Sequence, residues 1–160
     1  MPAKNVNDNA GIAVNRGVRT FFASKLAPTK ISYVSGASAM TLTAIKHNVQ
    51  LSELDAWGTV ADLGSQILEG EVRAFGKMTF GAPTDAVSSA YFGTTQGKFR
   101  MVYPFAEQAT IVTGEVVLTD ESTGQSTRYK AGESWFVTKG TPVLWEVVSE
   151  SFVKHYFAVV

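Results

Sequence analysis

The stretch between residues 107 and 140 constrains the fold more than any other part of the chain, because short extended segments alternate there with turns. Two segments rich in β-branched and apolar side chains are separated by Gly114. A polar loop at 120–124 and a second turn at 131–133 separate the later extended segments. Short strands with turn residues roughly every 8–12 positions are typical of an all-β sandwich or barrel.

The same stretch is similar to the two sequence motifs of the cupin superfamily. The first motif leads through a Glu to a Gly seven residues later, and Glu107 and Gly114 stand in these places. The second motif is Gly-Asp, five further residues and then Pro-x-Gly. Here it reads Gly132–Glu133 and then Thr138–Lys139–Gly140, with Glu for Asp and Thr for Pro. Residues 140–147 and 153–156 resemble the ending of the branch that includes ureidoglycine aminohydrolases, ethanolamine-utilisation cupins and many proteins of unknown function.

The resemblance covers roughly residues 64–160 and implies a double-stranded β-helix, which is a jelly-roll barrel. Residues 1–63 would then form an N-terminal arm with flanking strands and a short helix, for which 49–57 is the best candidate because Ser52 can act as its N-cap. The resemblance also implies a homodimer. The segment before residue 64 exceeds the needs of one barrel and carries the aromatic residues Phe21, Phe22 and Tyr33.

Length and composition exclude several classes of protein. The 160 residues suit one domain, and the 14 basic and 14 acidic residues cancel without a basic stripe, so we expect no nucleic-acid partner. No apolar run is long enough for a membrane span, and the N-terminus lacks the apolar core of a signal peptide. The chain has no cysteine, which excludes disulfides and thiolate chemistry, and a cytoplasmic location is the default expectation.

The metal ligands of metal-binding cupins have no counterpart in this sequence. Such cupins supply two His before the Glu and a third after the second motif. These places fall here on Arg100 and Val102, or with a shorter spacer on Met101 and Tyr103, and then on Val143. The chain has only His47 and His155, and a single Glu cannot hold a transition metal, which typically needs three or four ligands. We therefore predict no metal and no cofactor, and a surface or interface position for His155.

Strand alternation predicts which side chains face the interior of the barrel. If Glu107 points inward, Ala109 and Ile111 do so too, and in the last strand Lys154 and Tyr156 share one face while His155 lies on the other. The cavity is then predicted to carry Arg100, Tyr103, Glu107, Trp135, Trp145, Lys154 and Tyr156.

Two interpretations of this set stay open. In the first, Glu107 forms a buried ion pair with Lys154 or Arg100, because an unpaired buried charge is costly, and the tryptophans fill the core. In the second, the cation and a tyrosine hydroxyl bind a small polar or anionic ligand stacked on Trp145. The function predicted from the second is metal-free binding of a small metabolite. The alternative is an enzyme of the aminohydrolase or isomerase type that uses Glu107 as its catalytic acid or base.

Overall fold

The computed structural model describes residues 42–160, in which one short 3-10 helix precedes nine β-strands. The helix spans Leu51–Glu53, and the strands are β1 (Asp55–Thr59), β2 (Gln66–Glu69), β3 (Arg73–Phe80), β4 (Val87–Val102), β5 (Ala106–Thr113), β6 (Glu115–Asp120), β7 (Gln125–Lys130), β8 (Ser134–Val137) and β9 (Pro142–Val159). The predictions that concern Phe21, Phe22 and Tyr33 lie outside the described residues. The expectation of an all-β jelly-roll fold is confirmed.

Two long strands, β4 and β9, connect the two halves of the structure. They pair with each other in antiparallel fashion from Val87↔Val159 to Val102↔Pro142. The first half of β4 also pairs with β3, and its second half pairs with β2. Strand β9 pairs in the same divided way, with β6 along its first half and with β5 along its second. Two antiparallel layers, β1-β3-β4-β9-β5-β8 and β2-β4-β9-β6-β7, therefore share β4 and β9.

A register shift between Thr95 and Gly97 marks the point where β4 passes from one layer to the other. Gly97 has a φ of 150°, and a Cβ there would lie 2.6 Å from the backbone oxygen of Glu69. A bulge of this kind changes which alternate residues face inward. Gly97 therefore does not mark a turn, because the chain continues as one strand through it. Residues 142–159 are likewise one continuous strand, β9.

The strands predicted between residues 107 and 137 are confirmed within one residue at each end as β5 to β8. Gly114, the glycine of the first cupin motif, connects β5 to β6 with a φ of 84°. A Cβ at this position would lie only 2.3 Å from the backbone oxygen of Ser151. The turn therefore requires glycine both for its backbone conformation and for the close approach of β9.

The helix predicted at 49–57 is wrong beyond its 3-10 turn. Glu53 caps that turn by accepting a 2.9 Å hydrogen bond from the backbone N–H of Gln50, and β1 follows directly. Trp57 on β1 lies against Gly76 of β3, where a Cβ would fall 2.3 Å from its ring. Packing of this large ring against β3 requires an extended backbone, which outweighs a weak local preference for helix. Strand β1 thus belongs to the same sheet as the strands after residue 64.

Two groups of buried side chains stabilise the fold. The interior group lies between the layers and includes Phe99, Trp145 and Phe152. The second group lies on the outer face of β4, β5 and β9, where Val49 and Leu54 cover Tyr91, Val112 and Val153. Residues 45–54 therefore cover part of the outer face. Within the described part of the chain, no helix is long and apolar enough to span a membrane.

Candidate functional site

A buried pair of opposite charges lies inside the barrel, on the neighbouring strands β5 and β9. Glu107 is 2% exposed and Lys154 is 3% exposed, and the Lys154 Nζ donates a hydrogen bond to the Glu107 Oε1. The hydroxyl of Tyr103 donates to the same oxygen at 3.3 Å. The alternation predicted for both strands is confirmed, because Ala109, Ile111 and Ala158 are buried beside them. Of the two partners considered for Glu107, the structure selects Lys154.

Aromatic rings surround the ammonium group of Lys154. Its Nζ lies 5.0–5.8 Å from the centroids of five rings, those of Phe92, Tyr103, Trp135, Trp145 and Tyr156. A cation at such distances is attracted by the negative face of each ring, and more strongly where water is excluded. The rings therefore supply part of the stabilisation that water would give an exposed lysine.

Burial dominates the protonation behaviour of this group of side chains. It lowers the pKa of Lys154, while the charge of Glu107 and the hydrogen bond to it act in the opposite direction. Burial, reinforced by the charge of Glu107, raises the pKa of Tyr103 well above the usual tyrosine value. The same two causes raise the pKa of Tyr156 to about 12. Both phenols are therefore neutral at physiological pH, and the charges of the interior are those of Glu107 and Lys154.

A cavity of about 220 Å³ opens onto this ion pair, and we call it the aromatic pocket. Most of its wall is apolar, and Ser65, Glu107, Lys154 and the Tyr156 hydroxyl supply the polar groups. The residues that line it are Trp57, Val60, Leu63, Ser65, Pro83, Phe92, Phe99, Met101, Pro104, Phe105, Glu107, Trp145, Lys154 and Tyr156. An apolar cavity with a few converging polar groups is the usual form of a small-molecule site.

A second cavity of about 320 Å³ lies where strands β7 and β8 face each other without pairing, and we call it the seam cleft. Among the strands that the structure describes, β7 pairs with β6 alone and β8 pairs with β5 alone. Tyr103 and Trp135 line this cleft and also contact the residues around Lys154. Within residues 42–160, the buried indole N–H group of Trp145 has no hydrogen-bond partner.

The structure separates the predicted site residues into three groups, which lie in the aromatic pocket, in the seam cleft and outside the barrel. Four of them, Glu107, Trp145, Lys154 and Tyr156, line the aromatic pocket. Tyr103 and Trp135 line the seam cleft, as described above.

Arg100 lies outside the barrel, so the expectation that it faces the cavity is wrong. Its guanidinium group donates to both carboxylate oxygens of Glu121, with Nε 2.6 Å from Oε2. The physical reason is the bulge before Gly97, after which the odd-numbered positions of β4, Phe99 and Met101, face inward.

Several residues of the aromatic pocket were missed by reasoning from the sequence, notably Trp57, Phe92, Phe99, Met101 and Phe105. The alternation of Ala90, Phe92 and Thr94 was a usable signal for the first half of β4. No comparable signal existed for Trp57, because its segment was interpreted as helix. Its ring reaches the pocket only through the pairing of β1 with β3.

The donor groups of the interior do not fit a transition metal. Among residues 42–160, no three His, Cys, Asp or Glu side chains converge. With the shorter spacer, the positions of the missing His fall on Met101, Tyr103 and Val143, which offer a thioether, a phenol and an aliphatic group. His155 faces the outer side, where its Nε2 lies 3.0 Å from the hydroxyls of both Thr79 and Ser89. The predicted opposite faces of Lys154 and His155 are confirmed.

Comparison with known proteins agrees with this architecture. Residues 81–156 match the family described as the EutQ-like cupin domain. These residues, just under half of the chain, resemble the EutQ-like branch of the cupins. The EutQ protein of Clostridium difficile has a similar fold, with a TM-score of 0.52 and 16% identity over 69% of this chain and 80% of that one.

A second protein of similar fold comes from Pseudomonas syringae pv. tomato str. DC3000. It is a DUF861 family protein of unknown function, with a TM-score of 0.52 and 19% identity over 59% of this chain and 40% of that one. No match was found among curated protein sequences. At these levels of identity the structural likeness establishes the fold, and the function has to be argued from the pocket itself.

Proposed function

We propose that this cupin binds a small polar metabolite in the aromatic pocket without the help of a metal. The observation that carries the proposal is the cavity of about 220 Å³, whose apolar walls end on the Glu107–Lys154 pair. Such a wall favours the body of a small organic molecule, and the ion pair offers both a donor and an acceptor to its polar end.

The ion pair also restricts the charge of the ligand. Glu107 already neutralises the ammonium group of Lys154, so an anionic ligand has to displace the carboxylate or leave its own charge uncompensated. A neutral ligand with a carbonyl or hydroxyl group avoids this cost. Of the polar and anionic ligands that the sequence suggested, the pocket therefore favours the polar neutral ones.

A thermal-shift and fluorescence screen of small amides, ureides, alcohols, carbonyl compounds and acids tests this proposal. Trp57 and Trp145 line the pocket, so occupancy should change the indole emission as well as the melting temperature. The blocking variant is Met101→Trp, which fills the pocket. Its matched control is Val102→Trp, because Val102 is the next residue of β4 and is 60% exposed on the opposite face.

We expect ligands that raise the melting temperature of the wild type and of Val102→Trp but not that of Met101→Trp. For each protein, the melting temperature with ligand is compared with the value without ligand. A ligand that stabilises the Met101→Trp variant equally binds elsewhere and contradicts the assignment of the site. A screen without any hit for the wild type contradicts the proposed function.

A second candidate function is proton-transfer catalysis on the bound molecule, with Glu107 as acid or base. The observation in its favour is that Glu107 Oε1 accepts hydrogen bonds from both Lys154 and Tyr103 at the wall of the cavity. The Glu107→Gln variant separates the two functions. If the protein only binds the molecule, both the wild type and Glu107→Gln leave it chemically unchanged. If the protein is an enzyme, the wild type converts the molecule and Glu107→Gln does not.

Self-association is the remaining proposal, and it concerns the outer face of β9, β5 and β8. Phe157 and Phe136 lie opposite Gln108 on its two sides, in one cross-strand row, and are 45% and 68% exposed. We propose that this row contacts a second copy of the chain. Sedimentation should return a dimer that Phe136→Ser weakens and that Val102→Ser, on another exposed surface, leaves intact. A monomeric wild type contradicts the proposal.

A further inference from the structure

The position of Lys154 suggests a chemical role beyond binding. Lys154 lines the aromatic pocket, and Glu107, the one acidic residue of that wall among residues 42–160, is in hydrogen-bond contact with its Nζ. A lysine becomes a nucleophile in its neutral form, and desolvation in an apolar pocket is one of the ways in which proteins produce that form. Burial of Lys154 acts in this direction, because it lowers the pKa of the amine.

We propose that Lys154 forms a Schiff base with a small aldehyde or ketone in the aromatic pocket, with Glu107 as the proton donor and acceptor. This inference rests on the proposed function, since the carbonyl compound has to enter the same cavity. Water occupies about 30 Å³ per molecule, so a cavity of about 220 Å³ has room for a compound of roughly seven non-hydrogen atoms.

The reaction is balanced without any further reagent. A proton first passes from the ammonium group of Lys154 to the carboxylate of Glu107, along the hydrogen bond between them. The free amine adds to the carbonyl carbon, a C–N bond forms, and the carbonyl oxygen takes the proton from Glu107. Glu107 then removes a proton from the nitrogen and returns it to the hydroxyl group, which leaves as water as the C=N bond forms.

The product keeps the charges of the starting state. A protonated iminium replaces the ammonium group, and Glu107 is again a carboxylate beside it. The five rings around the Lys154 Nζ face the iminium as they faced the ammonium group, so the cation–π attraction is retained. The surroundings of Lys154 therefore stabilise the iminium of the adduct to the same degree as the ammonium group of the unmodified lysine.

Reductive trapping tests the inference. The protein is incubated with butanal and sodium cyanoborohydride, and the modified lysine is located by intact-mass measurement and peptide mapping. Butan-1-ol, which has the same size but no carbonyl group, reports binding alone through the melting temperature and indole emission. The chain has nine lysines, so each of the others serves as an internal reference for non-specific modification.

We expect one adduct, on Lys154, before the other lysines react. Each unit by which the pKa of an amine is lowered raises its neutral fraction at pH 7 about tenfold. The Glu107→Gln variant should still slow the trapping at Lys154, because a positioned acid or base usually contributes about 100-fold or more, which outweighs the larger neutral fraction of the amine in the variant. Lys98→Met is the matched control, because Lys98 forms a 2.8 Å surface pair with Glu146 and its loss should change nothing.

Two results overturn the inference in distinguishable ways. If butan-1-ol binds but cyanoborohydride traps butanal only on other lysines, the Schiff base is wrong and the binding function stands. If neither compound changes the melting temperature or emission and no adduct forms on Lys154, both are wrong. The Met101→Trp variant keeps Lys154 and the ion pair but should lose the adduct, because its pocket is filled. This test leaves the buried lysine in place and therefore does not require a Lys154 variant that folds.

Discussion

The Glu107→Gln substitution gives the sharpest test of how the interior of this barrel is stabilised. It removes one charge of the buried pair and keeps the shape and a hydrogen-bond acceptor for Lys154. The ammonium group then lies 3% exposed without a counter-charge. Breaking a buried ion pair by removing one partner typically costs about 3–5 kcal/mol of unfolding free energy.

The aromatic rings place the expected loss at the lower end of that range. Five ring faces within 5.8 Å continue to attract the ammonium group, each by on the order of 0.5–2 kcal/mol and not additively. We therefore expect Glu107→Gln to lower the unfolding free energy by about 3 kcal/mol. Lys154→Met leaves a carboxylate among rings that cannot attract it, and should cost about 5 kcal/mol. The double variant Glu107→Leu/Lys154→Met removes both charges and should recover most of the loss.

Urea unfolding at several pH values measures these losses. Burial already lowers the pKa of Lys154, and loss of the opposing carboxylate lowers it further. Between that pKa and the ordinary lysine value of about 10.4, the unfolded chain binds more protons than the folded one, so the unfolding free energy rises with pH. The deficit of Glu107→Gln relative to the wild type should therefore shrink as the pH rises from about 7 to about 10.

The matched control is Glu146→Gln, which breaks the partly exposed pair with Lys98. A surface pair of this kind is worth about 0–1 kcal/mol, and the loss should vary little with pH. If Glu107→Gln costs no more than Glu146→Gln, or if its deficit grows as the pH rises, the argument for a desolvated ammonium group in the aromatic pocket is refuted.

Three further predictions concern other features. Burial, with a smaller contribution from His47, lowers the pKa of His155, so the folded protein should lose stability as the pH falls below about 6.5. His155→Gln should weaken this dependence in thermal melts, and an unchanged pH profile would contradict the assigned burial. Gly114→Ala should cost clearly more than the about 1–2 kcal/mol expected for Gly124→Ala, because both have positive φ but only Gly114 has a backbone oxygen 2.3 Å from the new Cβ; equal losses in urea unfolding would contradict that contact. Elemental analysis of protein purified without chelators should show no stoichiometric Mn, Fe, Ni or Zn, since Lys154 already neutralises Glu107, and a stoichiometric metal would overturn the reading of the donor groups.

Local signals were sufficient to predict the strands from β5 to β8 and the buried faces of β5 and β9. Turn residues define where each of these strands ends, and side chains alternate with a period of two between them. The N-terminal half of the described region was harder to predict, because a residue typical of turns does not end a strand there. Gly97 resembles a turn residue in the sequence, but its neighbours on both sides pair with β9, which keeps the chain extended. Only the long-range pairing distinguishes a bulge from a turn.

The site shows the same limit at the level of single residues. The resemblance suggested that Glu107 faces the interior, and alternation then gave the residues that share a face with Glu107 or with Lys154, since no bulge lies between each residue and the neighbours used as reference. Arg100 was assigned by counting back from Glu107, across the connection at 103–105, where a change of one residue reverses the face. Trp57 could not be assigned by either means, because its place in the pocket depends on β1 joining β3.

The buried carboxylate connects the missing imidazoles with the presence of Lys154. A carboxylate that is 2% exposed requires a positive charge beside it, and the resemblance implies that a metal ion supplies this charge in cupins with a complete set of His ligands. Here the ammonium group of Lys154 supplies it, and the five rings supply the surroundings that make a buried ammonium group tolerable. The exchange has a chemical consequence, because a metal ion acts as a Lewis acid whereas an amine can carry protons and form covalent bonds. The reactivity expected of this pocket therefore follows from the amine that lies beside Glu107.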